Sequence, residues 1–184
     1  EYEKPIVCTE FGGPDPREFP IQYKKFRNTI KYLLHQRKNG RIDKSAPILK
    51  IMRKKGMVPP EIDMFLPNTS SELEEKRNRI HCRDLIQRHL IMLASGVKEM
   101  WYWNLVSSGK HPVFGKMRLM NSKRRKKLPP YYCYQRMIQH IGNVRTVKRI
   151  VTEDENIYLF NLTMQNGNTK YVIWQKRNMF YKTY

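Results

Sequence analysis

The chain has 184 residues and a formal net charge of +20, with 36 Lys and Arg residues against 16 Asp and Glu residues. A hydrophobic content of 40% excludes an intrinsically disordered chain. No apolar run reaches the ~18 residues of a membrane span, so we expect no membrane partner. The charge favours a polyanionic partner such as nucleic acid or an acidic polysaccharide. Cys8, Cys82 and Cys133 lack metal-ligand or disulfide spacing, which predicts buried free thiols and no metal site.

The first half of the chain has the pattern of a βαβ unit. The apolar run Pro5–Thr9 is typical of a strand that is buried on both faces. Ser71–Glu74 has the capping-box pattern of a helix start, and Gly96 supplies the left-handed residue that ends a helix. The aromatic and β-branched residues of 97–106 predict a second buried strand, parallel to the first. Within it, Trp101 is expected to pack between the sheet and the helices.

The predicted helix carries one continuous apolar stripe, in which His89 is expected to be a core histidine. The stripe consists of Cys82, Leu85, Ile86, His89, Leu90 and Leu93. Before this helix, the chain from Pro14 to Pro67 is basic and irregular, although Ile48, Leu49 and Met52 have helical spacing. We expect its lysines and arginines to form a solvated face; the alternative is that they attract an acidic glycan.

The last part of the chain predicts a helix followed by a small β domain. Pro129-Pro130 begins the helix, and Gly142 ends it. Three short strands follow, at residues 144–151, 157–162 and 170–174. Gln165–Asn168, between the last two strands, is a hairpin signal. The predicted domain boundary therefore lies near Gly142, with a small antiparallel β domain at 143–184.

Four segments resemble one enzyme family in the same order. Lys4–Gly12, which ends in Thr-Glu-Phe-Gly, resembles the strand-seven motif of retaining (β/α)8-barrel glycoside hydrolases, the clan of cellulases, β-xylosidases and β-galactosidases. The other three segments are Leu93–Val97, Glu99–Leu105 and Leu128–Tyr134, which resemble the end of helix seven, strand eight and the start of the last helix. The resemblance implies an α/β fold. Residues 1–142, with a basic insertion at about 14–67, would be the C-terminal part of a TIM (β/α)8 barrel, followed by the small antiparallel β domain.

The resemblance also implies roles for particular residues. The Glu of the motif is the family's catalytic nucleophile, and Glu10 matches it. The partner acid belongs to strand four, which has no counterpart here, so the chain alone is expected to be inactive without the N-terminal half of the barrel in cis. Trp103 and Tyr102 are candidates for stacking on a sugar, and Asn104 and His111 for hydrogen bonds to it. Two carboxyl groups carry such chemistry, so no cofactor and no metal is expected.

The implied function is hydrolysis of O-glycosidic bonds in an oligo- or polysaccharide, including an acidic one, and the resemblance favours a secreted or extracellular protein. Two alternatives stay open. One is a basic protein that binds nucleic acid or another polyanion on a degenerate barrel fragment, with Glu10 an ordinary carboxylate before a turn. Lys123–Lys127 resembles a nucleic-acid patch, but basic residues are spread over the whole chain, so nucleic acid is the less favoured partner. The other alternative is a non-catalytic scaffold that docks through open sheet edges.

Overall fold

The computed structural model describes residues 5–13, 35, 49–56, 58–66, 68–103, 105–107, 116–121 and 126–176. Within them the chain is a mixed α/β fold with a small antiparallel sheet at its carboxyl end, which confirms the predicted class at that level. The elements are β1 (Ile6–Phe11), α1 (Pro60–Asp63), α2 (Ser71–Ala94), β2 (Val97–Tyr102), β3 (Val106–Ser107), β4 (Met120–Asn121), β5 (Lys126–Lys127), α3 (Pro129–Ile141), β6 (Val144–Ile150), β7 (Ile157–Met164) and β8 (Thr169–Gln175). Residues 49–54 are also helical, as their spacing predicted.

The strands β1 and β2 pair in parallel, which confirms the predicted βαβ unit. The prediction that both strands are buried on both faces is wrong for the described residues. Trp101 was expected to pack between sheet and helices, but it is 66% exposed. Strand alternation is the reason, because Met100 and Tyr102 are half-buried while the residue between them turns away from α2. The second predicted strand also ends early, at Tyr102, and Val106 belongs to β3.

The helix α2 begins at Ser71, as the sequence predicts, but its N-cap lies one residue before the one that the capping-box pattern implies. The N-cap is Ser70, whose Oγ accepts a hydrogen bond from the backbone N–H of Leu73 at 3.2 Å. The capping box at Ser71–Glu74 is therefore wrong, because the Glu74 carboxylate accepts from Arg77 instead. At the other end, Gly96 has φ +88°, as a left-handed helix terminator should.

The buried face of α2 is more polar than the predicted stripe. Leu85, His89 and Leu90 are buried as predicted, whereas the rest of that stripe is half-buried. The buried face extends instead to Arg77, Ile80, His81 and Asp84. His89 is a core histidine, as expected: its Nδ1–H donates to the carbonyl of Leu85 at 2.7 Å. The buried face is rotated relative to the predicted stripe because groups from other segments, such as the Met64 carbonyl and the Tyr102 hydroxyl, hydrogen-bond polar side chains on it.

The small antiparallel sheet has the order β6-β7-β8, and its inner face packs on α2. Gly167 has φ +86° in the hairpin that joins β7 to β8, which confirms the hairpin signal. Phe160 and Leu162 of β7 share one core cluster with Leu90 of α2. The sheet therefore rests on the helix of the βαβ unit, and the domain boundary near Gly142 stays a prediction.

The helix α3 begins at Pro129 and is capped by Gly142, as the sequence predicts. It packs against α2 in a core cluster that contains Leu85, Leu119 and Met137. None of the three cysteines forms a disulfide, as predicted, but each is half-buried and not buried. No helix in the described ranges is long and apolar enough to cross a membrane.

The described part of the long excursion before α2 is packed and not irregular. Leu49, Val58, Ile62 and Leu66 form one buried cluster. Phe65 and its neighbour Met64 pack on Ile80 of α2. The basic residues expected to form a solvated face lie outside the described residues; they are Lys24, Lys25, Arg27, Lys31, Arg37, Lys38, Arg41 and Lys44.

We predict that Phe160→Ala lowers the free energy of unfolding by about 3–5 kcal/mol, because the ring is 0% exposed and its removal leaves a cavity against α2. The matched control is Ile173→Ala on the opposite face of the same sheet, where the side chain is 64% exposed. The control should cost less than about 0.5 kcal/mol in urea unfolding followed by circular dichroism. Equal costs would contradict the packing of this sheet on α2.

Candidate functional site

The strands β1 and β2 end side by side, and we call the residues at their carboxyl ends the candidate edge. Glu10 is the penultimate residue of β1, and Tyr102 is the last residue of β2. Trp103 follows β2 directly, and its backbone N–H donates to the carbonyl of Phe11 at 2.7 Å. The structure therefore brings the backbones of three predicted site residues to one edge. The other two, Asn104 and His111, lie outside the described residues.

The pairing of the two strands is irregular next to Glu10. Cys8 pairs with Met100, and the next pair is Phe11 with Tyr102. Two residues of β1, one of them Glu10, therefore lie opposite a single residue of β2. Bulges of this kind are over-represented next to active sites. The irregularity distinguishes Glu10 from a carboxylate in a regular strand.

The exposed aromatic residue at the candidate edge is Trp103. Its side chain is 40% exposed, and a Cβ on Gly12 would lie 3.8 Å from the indole Cε3. The same Cβ would lie 3.1 Å from the Trp103 carbonyl oxygen, so the turn after β1 passes close to this residue. A half-exposed indole beside a strand end can stack on the apolar face of a sugar ring.

Tyr102, the other aromatic candidate, lies on the helix side of the sheet. Its ring packs edge-to-face on Phe11, with centroids 5.3 Å apart, and lies 5.7 Å from the ring of Tyr134. Its hydroxyl donates to the carbonyl of Met117 at 3.0 Å and is also hydrogen-bonded to Nε2 of His81. Burial is the main cause that raises the pKa of Tyr102. Because successive residues of a strand alternate between its faces, Trp103 is turned away from the helix side and is the more exposed of the two aromatics.

A buried histidine of α2, His81, contacts the candidate edge from the helix side of the sheet. The Tyr102 hydroxyl gives its only proton to Met117, so His81 must donate its Nε2–H to that hydroxyl. Burial, and then the charge of Arg77, lowers the pKa of His81 to about 3, which keeps the ring neutral. A Cβ on Gly13 would lie 2.6 Å from Nε2, so only glycine lets the end of β1 approach this ring.

Sequence reasoning missed the polar part of the α2 face that supports this edge. A usable signal existed, because Arg77, His81, Asp84 and Arg88 follow one another at spacings of four, three and four residues. Asp84 is buried and accepts from Nε of Arg88 at 2.8 and 2.9 Å. Within the ranges that the structure describes, no group of three His, Cys, Asp or Glu residues could hold a metal ion.

We predict that Tyr102→Phe lowers the free energy of unfolding by about 1–3 kcal/mol, because it leaves the Met117 carbonyl and the His81 N–H without their partner. The control is Tyr132→Phe, which removes the same hydroxyl from an exposed ring on α3 and should be neutral. Urea unfolding of both variants measures the difference. A neutral Tyr102→Phe would contradict the hydrogen-bonded arrangement.

We also predict that the protein loses stability as the pH falls below about 6.5. The pKa of His81 is about 3 in the folded chain and about 6.5 in the unfolded chain, so the unfolded chain binds more protons in between. The free energy of unfolding should then fall by up to about 1.4 kcal/mol per pH unit from this residue.

The comparison of His81→Gln with the exposed control His140→Gln isolates this contribution, since burial also lowers the pKa of His89. Between pH 6.5 and 5, above most carboxyl titrations, His81→Gln should flatten the dependence and the control should leave it unchanged. If both variants and the parent protein show the same slope of unfolding free energy against pH, groups other than His81 cause the pH dependence.

Comparison of the chain with models of known protein families, with curated proteins and with solved structures found no match. The parallel strand pair and the candidate edge are therefore described from this chain, without support from a related protein. The resemblance to (β/α)8-barrel glycoside hydrolases depends on four segments, and family membership is a proposal. The segments are Lys4–Gly12, Leu93–Val97, Glu99–Leu105 and Leu128–Tyr134.

Proposed function

We propose that the chain is the C-terminal part of a retaining (β/α)8-barrel glycoside hydrolase, with Glu10 as the nucleophile. One observation carries the proposal. The Glu of a Thr-Glu-Phe-Gly motif lies at the carboxyl end of a strand that is parallel to the aromatic strand β2. Active sites of such barrels lie at the carboxyl ends of their strands. The exposed Trp103 at the same edge is the residue type expected for contact with a sugar.

Exposed apolar side chains on and beside the β1–β2 pair support the proposed N-terminal half of the barrel in cis. Parallel sheets occur almost only with both faces covered, because their strands are apolar on both sides. Here the helices cover one face, and apolar side chains around the strand pair are exposed. These side chains are Ile6, Val7, Trp101, Trp103, Leu105 and Val106. Among the described residues no third strand pairs with β1 or β2. Neighbouring strands of a closed barrel would pair with both edges and bury these side chains.

The proposed mechanism needs two carboxyl groups about 5–5.5 Å apart. In the first step, the Glu10 carboxylate attacks the anomeric carbon while an acid protonates the departing glycosidic oxygen. In the second step, water attacks the anomeric carbon while the conjugate base of that acid takes its proton. The bond between this carbon and Glu10 breaks, which releases the sugar and restores the Glu10 carboxylate. The acid belongs to the proposed N-terminal half. Trp103 would hold the ring by stacking, which leaves the anomeric carbon accessible to the strand end.

We predict that Glu10→Gln in the full parent polypeptide lowers kcat/KM for aryl glycosides by roughly 10³-fold or more, because the amide cannot act as the nucleophile. The matched control is Glu99→Gln, the same change at an exposed position of β2. It should keep the parent activity. Both variants would be assayed on a panel of aryl glycosides and polysaccharides.

Azide distinguishes a nucleophile from a residue that only supports the fold. In Glu10→Ala, azide should restore turnover by attacking the anomeric carbon directly, and the product is a glycosyl azide of inverted configuration. The proposal fails if the parent hydrolyses no glycoside on the panel. It also fails if Glu10→Gln keeps the activity, or if azide rescues nothing in a folded Glu10→Ala variant.

The net charge of +20 favours one other candidate, a non-catalytic protein that binds a polyanion such as nucleic acid. If this candidate is correct, the affinity for the polyanion falls steeply as the salt concentration rises, and Glu10→Gln leaves that affinity unchanged. Binding of an acidic polysaccharide and of a DNA duplex at two salt concentrations would separate it from the hydrolase.

A further inference from the structure

The first turns of α2 carry a cluster of positive charge that the proposed hydrolysis does not use. Arg77 lies in the second turn of the helix and is 2% exposed. Lys116 and Arg118, from the segment before β4, lie close enough to interact electrostatically with it and with Glu74. We call these four residues the Arg77 cluster. The cluster contains three cations and one carboxylate, and Glu72 adds one further carboxylate to the first turn of α2. Among the described residues, positive charge is therefore in excess.

Arg77 is a buried guanidinium whose hydrogen bonds are incomplete. Its Nη1 donates to the carbonyl of Met64 at 2.8 Å, and its Nη2 donates to Oε1 of Glu74 at 2.8 Å. Its Nε makes no hydrogen bond to any described residue, and such a buried donor is costly. Among the described residues, the other buried side-chain atom of this kind is Thr69 Oγ1, directly before the N-cap of α2. Both atoms belong to the same end of one helix.

The electrostatics of the cluster are unfavourable for its own cations. Burial, and then the charge of Arg77, lowers the pKa of Lys116 and that of Arg118. Glu74 is the counter-charge, and the hydrogen bond from Arg77 lowers its pKa. The helix N-terminus adds a partial positive charge at the same place. A bound anion would offset the repulsion between the cations and the burial of Arg77.

The Arg77 cluster is tied to the candidate edge. Met117 lies between Lys116 and Arg118, and its carbonyl accepts the hydrogen bond from Tyr102. Arg77 precedes His81 by one helical turn, and the His81 ring lies against the end of β1. In a βαβ unit the helix begins at the edge where the strands end, which is where such folds bind ligands. A ligand at this edge would therefore meet the cluster.

We propose that the Arg77 cluster binds a tetrahedral oxyanion, the phosphate or sulfate group of a ligand. A phosphate group carries about −1.5 to −2 charge near neutral pH and three acceptor oxygens, which suits excess cations that come from separate segments. A guanidinium and an ammonium group are the side chains that most often hold such groups. The site does not depend on the proposed hydrolysis.

Titration of the 184-residue chain with inorganic phosphate at constant ionic strength tests the site. Lys116→Gln and Arg118→Gln should each weaken phosphate binding by roughly tenfold in calorimetry. Arg77→Gln is avoided, because loss of a buried side chain could unfold the protein. The matched control is Arg79→Gln on the same helix, whose exposed side chain pairs with Glu75. It removes one positive charge and should leave the affinity unchanged.

Thermal unfolding gives a second readout, which a purely structural role would not produce. In chloride, Lys116→Gln should have a Tm equal to or above that of the parent chain, because repulsion is relieved. In phosphate at equal ionic strength, the parent should gain more Tm than this variant. Absence of saturable phosphate binding would overturn the site. Equal loss of binding in Arg79→Gln would also overturn it, because the net charge would then explain the binding.

A comparison of two ligands distinguishes a sugar phosphate ester from free phosphate as the group that binds. Glucose 6-phosphate and inorganic phosphate would be titrated against the same chain and the same Lys116→Gln variant. Tighter binding of glucose 6-phosphate that is lost in the variant identifies a sugar ester as the ligand. Equal binding of the two identifies the free oxyanion, and both outcomes support the Arg77 cluster as the site.

Discussion

The hydrogen bond between His81 and Tyr102 is the contact on which the described arrangement depends. It joins α2 to the end of β2. The same Tyr102 hydroxyl donates to the carbonyl of Met117, which joins β2 to the segment before β4. The His81 ring also limits the turn after β1, since a Cβ on Gly13 would overlap it. Burial keeps the imidazole neutral, so one small polar contact holds two strand ends and a helix together without placing an unpaired charge in the core.

In the part of the chain that the structure describes, this support lies on one side of the β1–β2 pair. The helix side of β1 and β2 is closed by rings that pack edge-to-face, such as Phe11 on His89 with centroids 4.7 Å apart. The other side exposes apolar residues, Trp101 above all. An exposed apolar face on a parallel pair is costly in water, because each exposed ring forgoes the stabilisation of burial. That cost is the physical reason for proposing further strands from the same polypeptide.

The candidate site and the Arg77 cluster share a structural origin. In both, an inward-facing polar side chain of α2 hydrogen-bonds a group from another segment, namely the Met64 carbonyl for Arg77 and the Tyr102 hydroxyl for His81. The Nε2–H of His81 thus has a partner, whereas the Nε of Arg77 has none among the described residues. This difference is the physical reason for proposing a ligand at Arg77 and a supporting role for His81.

The sequence by itself determined the features that follow from local backbone preference and periodicity. These include the parallel order of β1 and β2, the glycines with positive φ at 96 and 167, and the proximity of Glu10 and Trp103 at one edge. Tertiary structure alone decided that the buried face of α2 extends to Arg77 and His81. Arg77 and His81 are buried because Met64 and Tyr102 provide their partners, and no local pattern encodes which distant group will meet a side chain.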